Sequence, residues 1–291
     1  MRFSEIRVTP PRGFVDKTPY FFTADEPNPL LQERLTFSYD VIPVGIRDLQ
    51  SLVAYRIDQL KEVTPGEVVI SEDTTVQLDR YAGRAFLVEQ RSGDHSIRTH
   101  CVMAFGAQSE YIQLTYSTPL SSVESSVRFR LIYKSVRFGE GQTDPSPKGF
   151  KRRSAGIATL DVPSELRPPS QLRFVRADLG DTIEMNVLWP DTPDTAASMS
   201  SLVTQDGALA ESLRQNPADT IVVQGGSAEL VSYVLTRRRF DETEETVVWR
   251  ARIRFATGTV VSVMMRLRND ERFVEHNNGF LAVLRQVREQ S

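Results

Sequence analysis

Glu110-Tyr-Ile-Gln-Leu-Thr-Tyr-Ser117 decides the fold, together with the turn Thr118-Pro-Leu-Ser-Ser122 and the recurrence of Val127, Phe129, Leu131, Ile132 and Val136 behind it. Ile112, Leu114 and Tyr116 share one face of a period-two strand, and Tyr111, Gln113 and Thr115 share the other. The later apolar spacing is closer to 3.6 than to 2, so a closing helix returns over the sheet and ends near Phe138.

Outward toward the N-terminus, Leu35, Phe37 and Tyr39 alternate with polar residues as a half-buried strand, and Pro43 ends it. Residues 45–63 then place Leu49, Leu52, Val53, Ile57 and Leu60 on one face of a helix that Thr64-Pro-Gly66 stops. Short strands follow at 68–71, 75–78 and 84–90, then one carrying Cys101, Met103 and Phe105. Toward the C-terminus, residues 139–156 are rich in Gly, Pro and charge and carry no period, which predicts a linker. Beyond it the pattern returns. A constant shift of 150 lays Leu35, Phe37 and Tyr39 on Met185, Val187 and Trp189, and Leu49, Leu52, Val53 and Leu60 on Met199, Leu202, Val203 and Ala210. Cys101, Met103 and Phe105 fall on Ala251, Ile253 and Phe255, and the closing helix on Phe280, Val283 and Val287 at a shift of 151. The reading is an α+β chain of two similar domains, 1–138 and 157–291, each an antiparallel sheet with packed helices.

A hydrophobic fraction of 40% and a charged fraction of 25% are those of an ordinary globular protein. The 35 basic and 38 acidic residues leave a formal charge of -3, with no global pull toward nucleic acid or anionic membrane. No apolar run approaches the ~20 residues of a membrane span, and Met1-Arg-Phe-Ser-Glu-Ile-Arg-Val8 lacks a signal-peptide core. The lone Cys101 agrees with a reducing compartment, so a cytoplasmic location without stable membrane insertion is expected.

Catalytic chemistry has no signature here. His95, His100 and His276 lack metal-ligand spacing, there is no phosphate loop or nucleophile elbow, and Gly225-Gly226 reads as a turn. Cys101 and His100 are adjacent strand residues and point to opposite faces, a poor nucleophile and base. No catalytic residue, metal or cofactor is expected. Trp249, Ala251, Ile253 and Phe255 alternate with an arginine ladder, Arg250, Arg252 and Arg254, which Arg266, Arg268 and Arg272 extend. Single-strand binding needs aromatics on the basic face, and here they alternate to the other, which argues against nucleic acid. Thr259-Val-Val-Ser-Val-Met-Met-Arg-Leu267 is apolar on both faces, so its second face must be covered by the other domain, a second subunit or a partner segment.

Gly13-Phe-Val-Asp-Lys-Thr18 with Tyr20-Phe-Phe22, Leu35-Thr-Phe-Ser-Tyr39, Tyr111-Ile-Gln-Leu-Thr-Tyr116 and Lys134-Ser-Val-Arg-Phe138 make residues 10–138 resemble the DcrB-like family (DUF1795), which includes the Eag chaperones of type VI secretion effectors. That resemblance implies a Mog1/PsbP-like fold and a concave sheet that holds transmembrane helices near an effector's N-terminus. It points to Ser38 and Gln113 as client contacts, with Tyr20, Phe22, Thr36, Tyr111 and Thr115 around them. Val261, Val263 and Met265 on the two-sided strand are the second domain's candidates. Eag chaperones are typically one such domain. Two in tandem would act as a monomeric pseudo-dimer or pair further as a homodimer, shielding an effector's apolar segments and aiding its loading onto the spike. The alternative is an immunity or structural interaction protein that binds a folded toxin or secretion component through a charged surface.

Overall fold

A computed structural model of the chain describes residues 5–7, 15–26, 32–63, 67–92, 95–106, 109–118, 122–139, 145–176, 181–189, 199–208, 210–239, 242–268 and 273–290. The expected turn at Thr118–Ser122, the helix stop at 64–66, Phe14 and Arg272 lie wholly or partly outside them, as do the side chains of Arg268, His95 and His276.

The elements in order are β1 (Glu5–Arg7), β2 (Val15–Asp16), β3 (Tyr20–Thr23), β4 (Arg34–Val41), α1 (Leu49–Val63), β5 (Glu67–Leu78), β6 (Tyr81–Ser92), β7 (His95–Phe105), β8 (Glu110–Thr118), α2 (Ser122–Ser135) and β9 (Arg137–Phe138). There follow β10 (Phe150–Ala155), β11 (Ala158–Pro163), β12 (Gln171–Arg176), β13 (Asp181–Leu188), α3 (Met199–Gly207), β14 (Ser212–Gln215), β15 (Asp219–Val223), β16 (Gly226–Arg239), β17 (Glu242–Phe255), β18 (Val260–Arg268), α4 (Phe273–Gln286) and β19 (Arg288–Gln290). They divide into two compact units, Thr18–Pro169 and a split unit of Met1–Lys17 with Ser170–Ser291.

In the first unit the sheet runs β3-β4-β8-β7-β6-β5, all antiparallel. On one face Leu35, Phe37, Ile112, Leu114 and Tyr116 are buried, and α2 packs there through Phe129, Ile132 and Val136. The Tyr116 and Phe129 rings stack at 6.4 Å, and the Tyr116 hydroxyl donates to Glu33. Arg128 clamps α2 at this end, donating to Glu33 at 2.9 Å and Glu165 at 2.6 Å. The other face carries α1, whose Leu52 and Val53 join Phe86, Val88, Cys101, Met103 and Tyr111 in one cluster. α1 begins at Leu49, later than the apolar spacing suggests, because Asp48 is its cap and accepts from the Ser51 amide at 2.7 Å. Those bonds from Ser51 hold the Asp48 carboxyl below its ordinary pKa.

Where a linker is expected, β10 and β11 form a hairpin that continues onto β9 and lies against α2. The buried Asp161 ties it down: Arg152 and Ser146 donate to its carboxylate at 2.7 and 2.6 Å, and its own amide donates to Ser135 Oγ at 2.7 Å.

The split unit repeats the succession of strands. Its sheet runs β14-β16-β17-β18-β13-β12-β2 with β15 also on β16, and β1 pairs with β19. Residues up to Lys17 therefore belong here, because Val15 and Asp16 extend the β12 edge, although the sequence resemblance groups residues 10–18 with the first sheet. α4 packs on the face of Trp249, Ala251 and Ile253, whereas α3 packs on the opposite face, where Met199 and Val203 meet Val231, Tyr233 and Val248.

Gly226 opens β16 after a turn in which Gly225 takes a positive φ of 81°. A Cβ on Gly226 would lie 2.2 Å from the Arg254 carbonyl oxygen, so Gly226→Ala must push β16 off β17. A loss of about 1–3 kcal/mol is expected in chemical denaturation, and an unchanged midpoint would show that the ladder opens there without strain.

Candidate functional site

Antiparallel register places the arginine ladder in rows across as many as five strands. In one row Arg250 lies beside Val231 and Met264, and Met264 beside Glu184, which faces Arg173. In the next, Glu229, Arg252, Ser262 and Asn186 are neighbours, and in a third Ser227, Arg254 and Val260. Val248, Arg266 and Thr182 form a fourth on the other side. The side chains between the cations are thus apolar and small polar in equal share, with the acids Glu184 and Glu229 among them.

The rungs differ in depth. Arg252 is only 7% exposed, Arg250 is half-buried, and Arg254 reaches solvent. Arg250 Nε donates to the Tyr233 hydroxyl at 2.7 Å, fixing the guanidinium against the α3 core. Arg173 Nε lies 3.7 Å from Glu184 Oε1, and both side chains reach solvent. The aromatics that base stacking would need, Trp249 and Phe255, are buried on the opposite face, as the alternation predicts. What this face presents to solvent is the Arg173 and Arg254 guanidinium groups, planar forks of the kind suited to carboxylates.

The expected client surface is a different matter. Tyr20 and Phe22 lie on the α2 face of the first sheet, buried beside Phe37 and Leu35, not on the face of Ser38 and Gln113. Tyr111 is buried in the α1 cluster, its hydroxyl donating to Asp40 at 3.3 Å, and burial raises its pKa. Val261, Val263 and Met265 are buried in the split unit's core on the α4 face. The second face of the Thr259–Leu267 stretch is covered by the chain itself, since Met264 packs against the α3 cluster. The structure does bring Thr36, Ser38, Gln113 and Thr115 together, in adjacent half-buried positions with Phe21 at 40% exposure beside Thr36. That strip is polar and narrow. The expectation of an apolar sheet face left for a client fails because helices cover the apolar residues on both sides of each sheet, so apolar residues on both sides of a strand signal two internal layers; α3 covers the Val231, Tyr233 and Val248 end of the arginine-bearing face.

His100 and Cys101 are separated by the sheet, as expected from their adjacency, and burial pushes the Cys101 thiol up to about 12, which disarms it as a nucleophile. Unexpected from sequence is the partner of His100: its Nε2 lies 2.9 Å from Ser125 Oγ of α2. The spacing is that of a nucleophile and base, but both groups are buried, so the bond satisfies a buried imidazole. Among the described residues no group of three or more His, Cys, Asp or Glu is placed to hold a metal, and no helix is long and apolar enough to cross a membrane.

No family model matches this chain, and no curated protein does. Similar solved structures include the apo form of TplEi, a type VI secretion immunity protein from Pseudomonas aeruginosa, at 10% identity over 100% of this chain and 96% of that one, with a TM-score of 0.46. The same protein complexed with a peptide designated "L" gives 8% identity over 99% and 96%, with a TM-score of 0.44. The Tle4-Tli4 complex gives 10% identity over 99% and 95%, with a TM-score of 0.46. At these scores and identities the likenesses carry no inference about what this chain binds. The DcrB-like assignment rests on its sequence resemblance alone.

Proposed function

We propose that this chain is a non-catalytic binding protein whose partner is a folded protein with a carboxylate-rich surface, docked on the arginine-bearing sheet face of the split unit. The observation that supports it is the register: Arg173, Arg250, Arg252, Arg254 and Arg266 fall in neighbouring rows on one face, where Arg173 and Arg254 are exposed. Strand-mounted guanidinium groups lose little freedom on binding, and their planar forks take carboxylates two bonds at a time. Complementary charge also speeds encounter and sets orientation. The sequence resemblance of residues 10–138 directs the search for the partner toward a type VI effector toxin or a component of its spike. Shielding of an effector's transmembrane segment is the weaker reading, because the apolar residues it would need are buried in the chain's own cores.

Co-expression with candidate toxins, chosen first from genes that adjoin this chain's own, tests both readings. A stable complex is expected, and its affinity should fall with added salt. Arg173→Glu with Arg254→Glu, both exposed positions, should weaken it on the order of a hundredfold, since each reversed contact is worth about a factor of ten. Arg252 is too deep to reverse without disturbing the fold. A complex indifferent to salt and to the double reversal, yet lost in Ser38→Leu with Gln113→Leu, would overturn the charged-face reading in favour of helix capture.

A further inference from the structure

Strand β5 ends the six-stranded sheet, and its two halves are built differently. The first half carries the exposed Asp73 and breaks register at a bulge between Ser71 and Thr74, features that blunt an edge against pairing. The second half, Thr74-Thr-Val-Gln-Leu78, pairs regularly with Ala85–Tyr81 and holds no charge. Beside it lies a groove. A cavity of about 490 Å³ is lined by Thr75, Val76 and Gln77 of β5 and by Tyr133, Lys134 and Arg137 across from them. A second, of about 340 Å³, shares Val76 and Tyr133 and adds Arg130 and His100. Arg130, Tyr133, Lys134 and Arg137 recur at three- and four-residue spacing, so they form one wall along α2 and its exit.

The charge of that wall is one-sided. Asp79 is the acid lining the groove, and its carboxylate is engaged by the Phe138 amide at 3.0 Å. Arg137 donates to the Lys134 and Val136 carbonyls at 2.8 and 2.6 Å. Arg130 and Lys134 are exposed and have no acidic partner among the described residues. We infer that the Thr74–Leu78 edge and the Arg130/Lys134 wall form a second binding site, separate from the arginine-bearing sheet, which takes an extended acidic peptide segment as an added β-strand. Main-chain bonds to β5 would supply affinity, and alternate acidic side chains would meet the basic wall.

The probe is a fluorescein-labelled octapeptide alternating Glu and Val, titrated with the full-length protein at low salt and followed by anisotropy. Saturable binding is expected. Arg130→Glu with Lys134→Glu should weaken it on the order of tenfold or more, and so should N-methylation of alternate peptide amides, which removes ladder donors without altering charge. An alternating Lys and Val isomer should not bind. Absence of saturation at about 1 mM, the weak limit of a specific contact, overturns the site. Equal binding of the N-methylated peptide overturns strand addition, and equal binding by the double variant or of the Lys isomer overturns the basic wall.

Discussion

Trp249→Ala should cost about 3–5 kcal/mol, the range for truncating a large buried aromatic. Trp249 is fully buried in β17, flanked in the sheet by Ser232 and Met265, with its ring 6.5 Å from that of Phe280. Its indole N–H donates to Asn277 Oδ1 at 3.0 Å, so one side chain ties the sheet to α4 through both area and a directed bond. Against the 5–15 kcal/mol that holds a typical domain together, such a loss unfolds the split unit first in a denaturant series followed by far-UV circular dichroism. Trp249→Phe keeps most of the buried ring and gives up the bond. Since Asn277 is half-buried and can turn to water, that variant should lose only about 1 kcal/mol beyond its lost area. If the alanine variant shifts the midpoint no more than the phenylalanine variant does, α4 is not pinned through Trp249, and the account of that core is wrong.

The alternation that buries Trp249 is legible in the sequence, and so is much of the secondary structure. Leu35, Phe37, Ile112, Leu114 and Tyr116 fall on one buried face as period two requires, and Leu49, Leu52, Val53, Ile57 and Leu60 of α1 all meet one core cluster. The shift of 150 lays the strand β4 on the strand β13 and the start of α1 on α3. What the pattern hides is cover and closure. Period two says which residues share a face but not which helix lies over it, so Tyr111, Val261, Val263 and Met265 read as open when α1 and α4 cover them. The hairpin of β10 and β11 is hidden by its own charge: Lys151-Arg-Arg153 reads as solvated, yet Arg153 and Asp161 are buried. Gly156, at a φ of 61°, is the turn signal that could have found it. Joining of Val15–Asp16 to β12 is a long-range pairing that no local pattern encodes. The arginine ladder was visible, whereas the depth of Arg252 was not, because depth depends on what the neighbouring strands carry.

Below neutral pH the largest single-site effect should come from His100. The imidazole is 3% exposed, bonded to Ser125 and stacked on Phe129 at 5.4 Å. Burial foremost, with the Arg98 charge second, lowers its pKa from the ordinary 6.5 to about 4. The folded chain therefore resists protonation while the unfolded chain accepts it. Stability is complete above about pH 6.5, declines as the pH falls toward 4, and has lost the whole contribution below that. Each pH unit in this window is worth about 1.4 kcal/mol, so about 2 kcal/mol should disappear between pH 6.5 and 5. Carboxylates add to the acid response of any protein, and a variant isolates the histidine. His100→Gln keeps a hydrogen-bonding group for Ser125 and cannot ionise, so its unfolding free energy should be flatter than the parent's by about one proton's slope across this window. The two curves, measured by urea denaturation at half-unit steps, should converge as the pH falls and run parallel above neutrality. Curves parallel throughout would mean that His100 protonates equally in both states, and that the imidazole under α2 is open to water.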